Sequence, residues 1–159
     1  MNIKIICIGK LKENYWRDAT SEYSKRLNGY CKLNIIELKE SKLPSNPSRA
    51  DEISVIDKEG DDIISHVKDS DYVITLEIEG KQLDSVELSK TINKLALTGK
   101  SDIIFVIGGS LGLSDSVKNR ANYKLSFSKM TYPHQMMRVI LLEQIYRSFK
   151  IIRNESYHK

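Results

Sequence analysis

The chain is predicted to be an α/β domain with a mainly parallel sheet flanked by helices. Three observations carry that prediction. Short apolar stretches with strand periodicity alternate with longer stretches at helical spacing along the whole chain. Residues 102–107 (Asp-Ile-Ile-Phe-Val-Ile) are nearly all apolar, as in a strand buried on both faces. No internal repeat, low-complexity segment or linker interrupts the 159 residues, so 1–159 is read as a single domain.

The elements follow in order. Residues 2–8 alternate and give a first strand; they lack the basic leader and small-residue cleavage site of a signal peptide. Residues 13–27 place Tyr15, Trp16, Ala19, Tyr23 and Leu27 at helical spacing, and Asn28-Gly29 stops that helix. Leu33, Ile35 and Ile36 mark a second strand over 32–38. The loop 40–49 holds Pro44 and Pro47 and is the stretch expected to move most. Residues 51–67 read as a helix, although Gly60 counts against it. Residues 71–78 form a strand ending in the turn Glu79-Gly80-Lys81, and 84–97 an amphipathic helix closed by Gly99. The apolar strand 102–107 runs into Gly108-Gly109-Ser110-Leu111-Gly112, after which Ser114 can cap a short helix reaching about residue 121. A last strand at 123–127, a loop at 128–134 and a long helix at 133–152 complete the chain.

Composition narrows the class. Hydrophobic residues make up 40% and charged residues 29%, ordinary for a soluble globular protein. No apolar run approaches the roughly 20 residues of a bilayer span. Cys7 and Cys31 are too few and too far apart for a disulfide framework or a zinc site, and read as reduced, buried thiols of a cytoplasmic protein. The net charge of +4 is uneven: residues 118–159 carry nine Lys or Arg against Glu143 and Glu155. A basic end on a weakly acidic body points to a polyanion partner; a solvated basic face accounts for it too.

In an open α/β sheet, ligands bind beyond the carboxyl ends of the strands. Three such ends stand out: Thr75-Leu76-Glu77, the glycine turn 108–112, and the stretch 127–134. Glycines after a buried strand let a ligand approach the backbone, though a plain tight turn explains them equally. The turn is neither a Gly-x-Gly-x-x-Gly fingerprint nor a P-loop. The C-terminal helix is apolar on most sides, so it must be covered on most sides, and a second subunit is a natural cover. Glu143 and Arg147 are placed to pair along it. Arg138 could bind a phosphate or carboxylate, or serve a cap or interface. His134 at the helix entry either bonds locally or shapes a pocket and handles a proton. Tyr157-His158-Lys159 is a terminus, which by itself is expected to fray. His66 reads as a surface residue. No His, Cys and Asp spacing fits a metal, and no nucleophile elbow is present.

Taken together, these segments resemble one family. Phe105-Val106-Ile107-Gly108-Gly109-Ser110-Leu111-Gly112, then Leu125-Ser126-Phe127-Ser128-Lys129-Met130-Thr131-Tyr132-Pro133-His134-Gln135-Met136-Met137-Arg138-Val139, then Glu143-Gln144-Ile145-Tyr146-Arg147 and Tyr157-His158-Lys159 are similar to the ribosomal RNA large subunit methyltransferase H family. Ile5-Ile6-Cys7-Ile8-Gly9-Lys10-Leu11-Lys12 and Ile74-Thr75-Leu76-Glu77-Ile78-Glu79-Gly80-Lys81 extend the resemblance over essentially the whole chain.

The resemblance implies a SPOUT-type fold with a C-terminal trefoil knot, which connection rules alone never predict. It implies a cytoplasmic homodimer binding S-adenosylmethionine in the knot, with Leu76, Gly108, Phe127, Ser128, Lys129, Met130, Thr131 and Tyr132 lining the cofactor pocket through apolar groups and glycines, without a dedicated acid. The implied activity is methylation of N3 of a pseudouridine in large-subunit rRNA of the assembled ribosome, by in-line displacement that requires no metal. Tyr157 and His158 become candidates for base or substrate orientation. His134, Arg138 and Arg147 become candidates for substrate contact, with Arg138 favoured as the RNA anchor. Family tails commonly carry proline before Tyr-His, but Ser156 stands here, so a less preorganised tail is expected. Two alternatives stand beside this reading: a non-catalytic RNA- or ribosome-binding module of the same fold, and a nucleotide-dependent enzyme of doubly wound type, against which the missing phosphate fingerprint counts.

Overall fold

A computed structural model describes residues 1–158. Five strands form one parallel sheet: β1 (Asn2–Ile8), β2 (Lys32–Leu38), β3 (Tyr72–Gln82), β4 (Asp102–Ile107) and β5 (Tyr123–Ser126), in the order β2-β1-β4-β3-β5. Five helices connect and close them: α1 (Asn14–Leu27), α2 (Arg49–Ile64), α3 (Ser85–Leu97), α4 (Asp115–Arg120) and α5 (His134–Ile152). The α/β class and the parallel sheet are as predicted. Among the described residues, no helix is long and apolar enough to cross a membrane.

Strand alternation divides the core in two. Ile3, Ile5 and Cys7 of β1 face one layer with Ile103, Phe105 and Ile107 of β4. Leu27, Leu88, Ile92, Leu141, Leu142, Ile145 and Phe149 cover that layer from α1, α3 and α5. Ile6, Ile8, Val73, Ile104 and Val106 face the other, under Ile63 of α2 and Val117 of α4. Cys7 is in this core; Cys31, also buried, lies just before β2 and not within a strand.

Local chemistry sets most ends. Ser48 and Asp51 form a capping box on α2, and Asp84 and Glu87 form one on α3. Ser114 caps α4 by accepting from Val117 N–H. Helix α2 starts before the predicted boundary and ends at Ile64, leaving His66 exposed in the turn beyond it. It also runs straight through Gly60. A Cβ at that position would fall 2.0 Å from Ser114 Oγ and 2.7 Å from Ser114 Cβ. Glycine here trades helix propensity for close contact between α2 and α4.

The largest departure from expectation is in β3. The strand does not turn at Glu79-Gly80-Lys81 but continues to Gln82. Leu76 and Lys81 both register with Leu125 of β5, so the residues between them leave the ladder. Gly80 permits this, because a Cβ there would meet the Lys124 and Leu125 backbone at 2.8 Å.

Candidate active site

A cavity of about 500 Å³ opens beyond the carboxyl ends of β3, β4 and β5, within the range of small-molecule sites. Three segments wall it. Behind β4, Gly108 to Gly112 fold back on themselves, with Gly112 N–H donating to Gly109 O at 3.1 Å and Gly112 at φ +88°. A Cβ on Gly108 would stand 2.9 Å from Gly112 O. From β3, the bulge carries Leu76, Glu77, Ile78 and Glu79 onto the cavity. After β5, Phe127, Ser128, Met130, Thr131 and Tyr132 close the third side, and His134 and Met137 of α5 reach it from the helix.

Lys129 does not line the cavity, contrary to expectation. Met130 N–H donates to Ser128 Oγ at 2.9 Å, and this tight turn leaves Lys129 exposed while its neighbours face the cavity. The expectation of a wall without acids also fails: Glu77 and Glu79 both line it, and Glu77 accepts from Thr75 Oγ1 at 2.6 Å. Thr75-Leu76-Glu77 was visible as a strand end, but not that a bulge would turn the acids toward the cavity. A further acid, Glu59 of α2, stands directly behind the glycine turn. A Cβ on Gly109 would come within 3.0 Å of its Oε2. Only 4% exposed, Glu59 accepts from Ser41 N–H at 2.9 Å. Burial pushes its carboxyl above the ordinary range, opposed by that N–H; Glu40 and Asp62 push it further up. Gly60 beside it in the helix was the one sequence sign that this stretch packs closely.

Arg138 is not presented to solvent. It is 1% exposed, ion-paired with Glu37 of β2, and donates to Gly9 O at 3.0 Å; its Nε has no partner. An arginine committed in this way joins α5 to the ends of β1 and β2.

The remaining candidates gather at the far end of α5. Arg147 pairs with Glu143 at 2.6 Å, as the spacing required, and its guanidinium lies 4.7 Å from the Tyr157 ring centre. Tyr157 OH donates to Glu143 Oε1 at 3.2 Å, and His158 Nδ1 is 3.3 Å from Arg147 Nη1. Burial, with Glu143 alongside, pushes the Tyr157 phenol up to about 12. The terminus is therefore tied down through His158, and Lys159 lies outside the described residues. Upstream, Asn154 adopts φ +53°, and Glu155 N–H reaches Lys150 O while Asn154 N–H reaches Ile151 O, a Schellman end to α5. The Glu155 carboxylate accepts from Tyr30 OH at 2.5 Å and pairs with Lys150 at 2.6 Å. These bonds direct the tail where proline is missing. Arg147, Tyr157 and His158 do not line the cavity of their own chain. Arg147 lies thirteen positions beyond His134 along α5, about 20 Å at 1.5 Å per residue.

The cavity, the glycine turn and the basic terminal helix narrow the comparison with known proteins. The family described as "Predicted SPOUT methyltransferase" matches residues 1–158. The ribosomal RNA large subunit methyltransferase H of Clostridium novyi is 62% identical over the full length of both chains. The chain belongs to this family. The protein of the same description from Clostridium acetobutylicum is 57% identical, again over 100% of both. A solved structure from Haemophilus influenzae, described as a "probable methylase family protein", superposes with a TM-score of 0.55 over 99% of this chain and 70% of its own, at 14% identity; at that identity the likeness is one of fold. Among the described residues, no group of three His, Cys, Asp or Glu side chains is placed to hold a metal ion.

Proposed function

We propose that this chain transfers a methyl group from S-adenosylmethionine to N3 of a pseudouridine in the large-subunit rRNA of an assembled ribosome, in the cytoplasm. The observation that carries the reading is the single cavity in which the glycine turn, the β3 bulge and residues 127–132 meet. Its features suit the donor: a glycine turn packed so closely that any Cβ on Gly108 would meet Gly112 O, apolar walls from Leu76, Ile107, Leu125 and Phe127, and carboxylates at Glu77 and Glu79 for an ammonium or ribose hydroxyls. When bound, the donor supplies an electrophilic methyl on a sulfonium that leaves as a neutral thioether.

The protein's own work is positioning and proton handling. Gly108 and Gly112 shape the cradle, Met130 and Tyr132 stand exposed at its rim, and His134 marks the side from which α5 begins. The imide N3 must lose a proton. Tyr157, held far above neutrality, stays a phenol and orients, which leaves the imidazole of His158 as the tail's acceptor. Since α5 carries the tail away from its own cavity, the reading requires a homodimer in which each tail serves the partner's cavity. Half-buried Met136, Val139 and Ile140 on α5 provide apolar surface for that pairing. The family resemblance adds a knotted C-terminal segment around the donor site.

A labelled-donor transfer assay comparing free rRNA, separated subunits and whole ribosomes tests this. Transfer is expected to whole ribosomes, at N3 of pseudouridine. Donor binding by calorimetry with no transfer to any substrate, or no donor binding at all, favours a non-catalytic RNA- or ribosome-binding module.

A further inference from the structure

The connection between β1 and α1 is held far more firmly than a link requires. Gly9 N–H donates to Leu38 O at 2.8 Å, and Gly9 O accepts from Arg138. Leu11 N–H donates to Glu37 Oε1 at 3.2 Å, and Lys12 N–H to Gln135 Oε1 at 2.7 Å. Arg17 returns from α1 to donate to Leu11 O at 3.1 Å and Lys12 O at 2.6 Å. Every backbone polar group of Gly9, Leu11 and Lys12 is thus fixed in a segment with no regular structure, one of them by a buried arginine with an unpartnered Nε. What this scaffold presents outward is Lys10 and Lys12. Both are exposed, and among the described residues neither has a carboxylate within ion-pair distance. Of the acids against this segment, Glu37 is turned inward onto Arg138 and Leu11 N–H, and Glu40, whose Oε2 lies 3.9 Å from where a Cβ on Gly9 would stand, forms no ion pair with either lysine. Gln135, which holds Lys12, follows His134 at the cavity.

We infer that the segment 9–12 is a preformed phosphate-binding edge, on which Lys10 and Lys12 hold the backbone of the RNA strand whose target base enters the cavity. The inference rests on the methyltransferase reading above and names a contact surface for it. Two lysines on a fixed frame, tied through Gln135 to the start of α5 where His134 meets the cavity, suit a polyanion, because their side chains can be oriented toward phosphates without first ordering the loop. The role expected of Arg138 is thereby divided: it fixes the frame, and the lysines meet the RNA.

The test is methyl transfer to ribosomes by Lys10→Ala/Lys12→Ala, alongside the unaltered protein and a control, Lys90→Ala/Lys94→Ala, that removes the same charge from exposed positions of α3. The 10/12 variant is expected to keep donor affinity and kcat, to raise KM for ribosomes about tenfold at low salt, and to lower the slope of log affinity against log salt by about 0.7 to 0.9 per lysine. The control is expected to change neither. Gln135→Ala keeps both lysines but frees Lys12 N–H, and is expected to raise KM by about three- to tenfold, the scale of one hydrogen bond. Unchanged KM and salt slope in the 10/12 variant overturn the inference, as does an equal effect in the control. Absence of transfer by the unaltered protein overturns instead the reading on which it rests.

Discussion

Replacing Gly60 with alanine ought to stabilise a helix by about 0.5–1 kcal/mol from propensity alone. Here the opposite is expected. The added methyl would sit 2.0 Å from Ser114 Oγ and 2.7 Å from Ser114 Cβ, so either the hydroxyl leaves Val117 N–H or α2 and α4 move apart. Losing the cap costs about 1 kcal/mol, and overpacking a tight contact about 1–3 kcal/mol. Against the propensity gain, overpacking leaves Gly60→Ala a net loss of up to about 2.5 kcal/mol, a Tm lowered by up to about 10 °C at about 2–4 °C per kcal/mol for a chain of this size. Ser114 follows Leu113, which lines the cavity, so donor affinity should fall with it. Thermal melts of Gly60→Ala, Ser114→Gly and the double variant measure the coupling. The double variant should recover the overpacking component but not the cap, so the two losses should add to more than the loss in the double. A Gly60→Ala protein that melts at or above the parent, or strict additivity, refutes the explanation for glycine at this position.

Gly108→Arg is expected to abolish donor binding in calorimetry while the far-ultraviolet spectrum persists, since its Cβ already meets Gly112 O at 2.9 Å and overpacking of this kind costs only about 1–3 kcal/mol; retained affinity would move the donor site elsewhere. Deleting Tyr157, His158 and Lys159 should leave donor affinity unchanged and reduce methyl transfer by about 10²–10⁴-fold, the usual contribution of general acid-base groups; full activity would clear the tail. For Glu59, the folded carboxyl releases its proton at higher pH than the unfolded one, so its cost to stability is absent in acid, appears as pH rises through the ordinary glutamate range, and is complete above the folded value. Glu59→Gln, which keeps an acceptor for Ser41 N–H, should therefore match the parent in Tm near pH 4 and exceed it near pH 8; equal melts at both would remove burial as the cause. Burial pushes the Cys7 and Cys31 thiols up to about 11, so at pH 8 their alkylation should proceed only as fast as the protein opens, and immediate labelling would contradict their placement.

Regular elements were readable because their signals are local: alternation in residues 2–8, apolar spacing in 13–27, a capping serine at 114. So was the meeting of strand ends, which follows from a parallel sheet. Features that depend on partners distant in sequence were not. Gly60 looks like a flaw until Ser114 is placed against it. Glu77 and Glu79 look like a strand end and turn until the β3–β5 slip swings them into the cavity. Arg138 has the chemistry of an anion ligand, and only its burial against Glu37 shows that the anion is already supplied. Lys129 stands outside a cavity that Ser128 and Met130 on either side of it line, a difference of orientation that residue type does not reveal.

A ring before Tyr157 would set the heading of the last residues covalently and permanently. In its place stands a latch of non-covalent parts: a left-handed asparagine, a phenol and an ammonium closing on Glu155. Such a latch can be undone and remade. Its carboxylate is held below the ordinary range, first by Lys150 and then by Tyr30, so mild acid leaves it shut, whereas concentrated salt, which weakens a solvent-facing ion pair, loosens it. The orientation of Tyr157 and His158 thereby becomes a property of the medium as well as of the chain.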